Sequence, residues 1–472
     1  MEINFPLSTE PSINPGENGG RLINAYAEKA PEGSRSKFLY RRAPGLDDAF
    51  AAGSGVPRGA LLVGSILYIA NGDKVYSVTK SGGSYTVEQL SGTLGGIGDI
   101  TMAHNMRAPT NQILLQTSAG PFQIASATVS AFSDADLPSS LMITYQDGYF
   151  FLPTASGRVS ASDLNDDEFN ANSFVTAESS PDGMVRCVPY GRDMLFMGQT
   201  STEIWTNRGE SPFPYVRVTV RPVGLYGINA VAGYEPGFDG PLVFVGNDCV
   251  IRKMVADGFE RVSTPFLERL LEAVADRSVV RMSAFIAAGH RFVAISSPDW
   301  SFVLDLSAPG NFWHERQSYG SDRWRVAFCI NAFNEWLAFD AASGVVYRIN
   351  ERNPREASFL LPWEVRSTQQ HSFPIETNIV YAAFDFETGV GIDRGIDPIE
   401  SDPKVSISWS NDGGRTFGNP LLRPLGTQGE LRRVEVTRTG RTTRLGRQWR
   451  LQVADPIELV LYGGSMFDRW PR

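Results

Sequence analysis

The chain has 472 residues, 42% of them hydrophobic and 20% charged, which is ordinary globular composition and excludes wholesale disorder. A net charge of −9 argues against a dedicated DNA binder, whose affinity rests on a basic surface facing the phosphates. It leaves open a protein that DNA slides past, because a mildly acidic wall repels phosphates. The length allows a large core, with two or three domains as the usual expectation.

In chain order, the first 55 residues are rich in Pro, Gly, Asn and Ser, most densely over Pro11–Gly20, and have little periodicity. They read as an extended arm that orders against a neighbouring surface. The start, Met1 to Pro6, has no basic segment or small-residue cleavage site, so it does not read as a signal peptide. No apolar run approaches the roughly 20 residues that span a bilayer, so membrane insertion is not expected.

From residue 56 to 351 the chain is a series of short apolar runs broken by Gly, Asn, Asp and Ser. They recur as pairs, each a strand, a small-residue turn and a second strand: Ile66–Val78, Gln112–Ile124, Tyr149–Ser162, Met194–Thr206, Leu242–Met254, Arg291–Leu306 and Glu335–Ile349. These seven units start at intervals close to the roughly 40–45 residues of a four-stranded propeller blade. A lone small sheet cannot cover its apolar faces, whereas a ring of sheets packs each face on its neighbour. The fold class expected is all-β, a propeller of six or seven blades; the alternative is a string of unrelated hairpins in a sandwich. One helix is expected within it, Pro265–Asp276, capped by Ser263 or Thr264.

Residues 352–472 change texture. Alternating runs begin at Asn378, Lys404, Leu431, Gln448 and Ile457, and predict a small antiparallel sandwich on or beside the propeller.

The search for chemistry returns little. There is no Walker loop, HExxH, EF-hand loop or GxSxG elbow. Gly95–Asp99 is Gly-rich but lacks the strand-to-helix context of a phosphate cradle, and reads as a turn. Cys187, Cys249 and Cys329 are far apart and read as buried thiols. His104, His290, His314 and His371 are not at metal-ligand spacing from one another, so no metal is expected. The acids of Asp163–Glu168 read as solvated turn residues. No catalytic group and no cofactor site are expected.

Two features stand out. Ser410, Asp412, Gly414, Thr416 and Phe417 match the SxDxGxT(W/F) pattern of an Asp box, also found on sialidase-type propellers. There the Asp takes backbone N–H groups, Gly permits positive φ and the aromatic packs beneath. It is a folding element, not a catalytic one. The second is an arginine-rich tract: Arg432, Arg433, Arg438, Arg441, Arg444, Arg447 and Arg450. A solvated, aggregation-proof sheet edge is one reading; a docking face for an acidic partner is the other, with DNA contact third.

Taken in order, several motifs resemble the packaged-DNA stabilisation proteins (tail accessory, hub or nozzle) of short-tailed bacteriophages. They are Asn24–Glu28, Ala43–Leu46, Tyr190–Trp205, Arg208–Tyr215, Ser263–Glu268 and Gly289–Phe292. Phe302–Leu306 follows, then Trp313–Ser318 and Arg323–Arg325, and at the end Ser406–Phe417. The resemblance is best over 185–350 and weak over 56–180. It implies a non-enzymatic virion tail protein, made in the host cytoplasm, that forms a ring of probable hexameric number below the portal. The implied partners are further copies of itself, the head–tail adaptor, tailspike, fibre or tail-needle proteins, and double-stranded DNA in passage during ejection. Trp313–Arg316 and Arg323–Arg325 read as blade packing with Arg stacked on Trp. The competing function is a carbohydrate-active propeller, sialidase-like or lectin-like.

Overall fold

The computed structural model describes residues 1–469 except 12, 13, 15, 16, 18, 178–182, 257 and 393–397. Of the turn-rich stretch at 11–20, half therefore lies outside the described residues.

Seven four-stranded antiparallel blades follow one another. The first five are sheets at 57–89, 101–131, 144–176, 184–221 and 231–261. The sixth covers 281–315, and the seventh 326–350. Each repeat unit read from the sequence falls on the second and third strands of one blade, such as Ile66–Asn71 with Lys74–Ser81. The second strand is the more deeply buried of the two: Ile113–Thr117 is buried at every residue, as is Val243–Val245, whereas third strands such as Lys74–Ser81 and Ile251–Val255 are mostly half-buried. The blade number, left between six and seven by the sequence, is seven among the described residues.

The seventh blade takes its fourth strand from the other end of the chain. Gly45–Ala51 pairs antiparallel with Val345–Asn350, from Val345 opposite Ala51 to Asn350 opposite Gly45. Leu46 and Ala52 are buried by this pairing. The ring is thus closed by hydrogen bonds between residues about three hundred positions apart, with Asp47 on Arg348 (2.6 Å), Asn350 (2.8 Å) and Asn353 (2.6 Å) fixing the register.

Arg355–Glu356, parallel to Gly45–Ala51, and Phe359–Leu360 extend the seventh blade's sheet, and the other strands form a two-sheet sandwich. One sheet is continuous with the sixth blade: Phe312–Glu315 pairs in parallel with Arg21–Ile23, which pairs with Trp363–Arg366, then Gln448–Val453, Lys404–Ser410 and Leu421–Pro424. The other contains Ala25–Lys29, Phe38–Arg42, Val460–Phe467, Asn378–Phe386 and Val434–Arg441. Leu22, Trp363, Ile407, Trp449 and Leu451 from the first sheet meet Tyr40, Ala382, Phe384, Val436 and Leu461 from the second in one core.

Residues 1–55 are expected as an arm that orders on a neighbour; the described ones are instead folded into their own chain. Ile3 and strands from Arg21 to Arg42 belong to the sandwich, and Gly45–Ala51 to the propeller. Their Pro- and Gly-rich connections hide strands that are only three to seven residues long.

The helix is Pro265–Glu272, where Pro presets the first turn and Thr264 Oγ1 accepts from Leu267 N. Leu267 and Leu271 bury its apolar side. Among the described residues no helix is long and apolar enough to cross a membrane.

Candidate functional site: the junction, the arginine face and the propeller axis

The strand that joins propeller to sandwich carries the Trp313–Arg316 motif. Alternation sends its side chains to opposite faces. Trp313 is fully buried in the core between blades and donates its indole N–H to Val262 O at 2.8 Å. Glu315 accepts from Arg21 Nε (2.8 Å) and Thr9 Oγ1 (2.7 Å), holding the N-terminal segment.

Arg316 is buried and donates to Glu356 Oε1 (2.9 Å) and Pro44 O (2.6 Å), with its guanidinium 5.1 Å from the Trp324 ring centre. Glu356 also accepts from Trp324 Nε1 (3.0 Å) and Ser318 Oγ (2.6 Å). Arg stacked on Trp is therefore found, between Arg316 and Trp324.

Asn24 completes the junction. Its φ of 50° is a conformation that Asn tolerates better than most residues. Its amide donates to Gln317 O (2.9 Å) and Pro362 O (2.8 Å), and its carbonyl accepts from Gln317 N (2.9 Å). One buried side chain thus ties the N-terminal segment to both halves of the molecule.

The histidines serve packing. Tyr26 packs against the rings of His290 (5.2 Å) and His314 (6.1 Å). His314 is buried; burial, then the Arg316 cation, pulls its pKa down to about 3. At His290 burial works in the same direction, but the Asp305 carboxylate 2.7 Å from Nδ1 outweighs it and holds the pKa above the usual value. His104 lies against Tyr145, and His371 is exposed. Among the described residues no three His, Cys, Asp or Glu side chains converge as a metal site. The three cysteines are free and buried. Of the acidic run, Asp166 and Asp167 accept from Gln112 (3.1 and 2.6 Å) in the preceding blade.

The Asp-box turn sits on the sandwich, between Lys404–Ser410 and Leu421–Pro424. Asp412 accepts from Ser410 Oγ (2.6 Å), Arg415 N (3.0 Å), Thr416 N (3.0 Å) and Thr416 Oγ1 (2.5 Å). Although burial pushes the other way, these donors lower its pKa to about 2. Gly413 and Gly414 have φ of 79° and 86°. Phe417 does not pack beneath the turn; it lies between the guanidinium groups of Arg366 (5.3 Å) and Arg450 (4.3 Å).

The arginine tract divides. Arg432, Arg433, Arg438, Arg441 and Arg444 are exposed, as is Leu431 (91%). Arg432 pairs with Glu430 (2.5 Å) and Arg441 with Glu376 (3.3 Å). Val434–Arg441 is an edge strand, and the register shifts where Arg438 takes a φ of 55°. A bulged, charged edge resists pairing with other strands.

Arg447, assigned to the same face from sequence, is fully buried. It lies 5.5 Å from both the Trp409 and Trp449 rings and donates to Asn411 Oδ1 (3.0 Å), Thr439 O (3.0 Å) and Gly440 O (3.3 Å). Alternation along the chain could not reveal this, because the guanidinium is buried by carbonyls converging from the end of the preceding strand and by the Asn411 side chain. Burial lowers its pKa to about 10.

At the propeller axis the first strands of the blades enclose a cavity of about 200 Å³ lined by Arg58, Asp99, Arg186, Glu235, Arg281 and Cys329, among others.

Similar solved structures include the WD40 β-propeller domain of Doa1, at 9% identity over 65% of this chain and 97% of that one, with a TM-score of 0.42. The PorZ surface component of the type-IX secretion system of Porphyromonas gingivalis is similar at 9% identity over 72% and 44%, TM-score 0.38. The computationally designed Ika8 protein gives 11% identity over 70% and 100%, TM-score 0.38. No curated protein matches the sequence. The profile of the Phage_stabilise family, described as bacteriophage P22 Gp10, β-propeller, matches residues 21–353. That span begins at the first strand of the sandwich and runs through all seven blades, so the chain belongs to this family of phage DNA-stabilisation proteins.

Proposed function

We propose that the chain is a non-enzymatic structural subunit of a short-tailed phage tail whose copies, six by expectation, form a closed ring below the portal and its adaptor. The ring helps to retain packaged DNA, seats tailspike, fibre or needle proteins, and gives DNA a way out between its subunits. Family membership across 21–353 is the observation that carries this reading.

Three features support it. The axial cavity of about 200 Å³ is far too small for a duplex, whose major groove alone is about 12 Å wide, so passage would have to run between copies. The continuous sheet from blade to sandwich makes a stiff unit fit to carry load. Arg432, Arg433, Arg438, Arg441 and Arg444 are exposed along the Val434–Arg441 edge strand and the segments that flank it, a run of basic charge. A groove of about 760 Å³ at the sandwich–propeller junction is lined by Asp322, Glu364, Asp402 and Asp455 with one lysine, Lys404. Unlike surfaces of opposite charge suit head-to-tail contacts, which close into rings.

The test is negative-stain imaging of virions carrying this chain with a gold-labelled C-terminal tag, together with the variant Arg433→Glu/Arg438→Glu/Arg444→Glu. Label clustered at one short-tail vertex, and its loss with the triple variant, is expected. Label absent from the virion would overturn the reading.

A further inference from the structure

We propose that the propeller axis binds a small oxyanion, of the phosphate, sulfate or short-carboxylate class, between Arg58 and Arg186. The inference does not depend on the ring assembly. Three cationic side chains, Arg58, Arg186 and Arg281, line the axial cavity with two acids, Asp99 and Glu235.

The acids are largely committed. Asp99 takes Arg281 and the Asn229 amide. Glu235 accepts the backbone N–H groups of Gly233 (2.6 Å) and Ala284 (2.7 Å), and burial pushes its carboxyl up towards the neutral form.

Arg58 and Arg186 are left with neutral acceptors. Arg58 donates to Gly98 O (2.5 Å) and Gly72 O (2.9 Å), and Arg186 to Ile228 O (2.6 Å) and Tyr234 Oη (2.7 Å). Among the described residues neither forms a salt bridge, and each keeps one buried N–H without a partner, Nη2 of Arg58 and Nε of Arg186. Arg186 is 7% exposed.

A buried cation without its counterion is costly, and a buried donor without an acceptor adds to the cost. One such buried guanidinium, Arg186, shares the cavity with the half-exposed Arg58, and the open N–H of each calls for an anion with several acceptor oxygens, which Arg binds through paired N–H groups. The volume selects its size. About 200 Å³ is more than ten times what one water needs, roughly 10–15 Å³, yet too little for a nucleotide or a peptide. A phosphate-sized ion with a few waters fits.

The experiment uses the purified full chain, exchanged into a chloride buffer, and measures binding of inorganic phosphate, sulfate and malonate by calorimetry at matched ionic strength. One site per chain is expected for at least one of them. Arg58→Gln, at a half-exposed position, should weaken it tenfold or more, and Arg58→Lys should restore part of the loss. Preference among the three probes separates tetrahedral oxyanions from carboxylates. Heat no different from that of added chloride, or equal affinity in wild type and Arg58→Gln, would overturn the proposal. Should Arg58→Gln fail to fold, crystals of the wild-type chain soaked in selenate decide the matter. An anomalous peak between Arg58 and Arg186 supports the site, and peaks confined to the outer surface refute it.

Discussion

Removing the Glu356 carboxylate should destabilise the chain by about 3–5 kcal/mol, the usual cost of breaking a buried ion pair. Glu356 is fully buried, and Glu356→Ala strips the acceptor from Arg316, Ser318 and Trp324 together. The Arg316 side chain is only 3% exposed and cannot reach water without parting the sandwich from the seventh blade. Glu356→Gln keeps an acceptor but not the charge, and should fall between Ala and wild type. The double variant Arg316→Met/Glu356→Leu should recover most of the loss, since an apolar pair removes the stranded charge rather than exposing it. Urea melts followed by tryptophan fluorescence read all three, because Trp324 is itself a partner. A loss below about 1 kcal/mol for Glu356→Ala would mean that water reaches Arg316. A double variant as unstable as Glu356→Ala would assign the loss to strand packing instead. Either result refutes the argument.

Further outcomes follow from the same geometry. Deleting Gly45–Ala51 should leave Val345–Asn350 as a bare edge, giving aggregation on size-exclusion chromatography; a monodisperse product would show that the ring closes without that strand. Arg447→Met should be tolerated within about 1.5 kcal/mol in urea melts if its hydrophobic packing between Trp409 and Trp449 dominates; a loss above 3 kcal/mol would place the weight on its carbonyl contacts. His314 stays neutral in the fold down to about pH 3, while an unfolded histidine takes its proton near 6.5. Its stabilising contribution is therefore complete above about 6.5 and lost as pH falls towards 3, so His314→Phe should flatten the stability slope between pH 6 and 4. Parallel curves for variant and wild type would count against this. His290, held above its usual value by Asp305, acts in the opposite sense, contributing most below about 6.5 and fading as pH rises through its folded value.

The blades were legible because their middle strands write themselves into the sequence. A run such as Leu242–Val245 is apolar at every position, and its partner follows after a short turn. The closing strand was not legible for the opposite reason. Gly45–Ala51 reads Gly-Leu-Asp-Asp-Ala-Phe-Ala, and its two aspartates mean something only beside Arg348 and Asn353, far along the chain. The same blindness made an arm of residues that supply four strands. Asn24–Glu28 was recognisable as a motif, but nothing in it announces that Asn24 would bind backbone from residues 317 and 362. At the Asp-box turn, Phe417 finds its partners Arg366 and Arg450 on neighbouring strands, which the motif itself does not announce. The axial cavity left no local trace, since Arg58 and Arg186 belong to different blades.

The strand that closes the ring also sets an order on synthesis. Gly45–Ala51 leaves the ribosome about three hundred residues before Val345–Asn350, its partner, exists. At roughly 5–20 residues per second, that is an interval of about 15–60 s in which the early strand waits unpaired. A message cut short anywhere in that interval yields blades but no closed circle, and a product with two sticky ends rather than none. Closure therefore waits on the last blade: only a chain read through it can pair Val345–Asn350 with the strand made first.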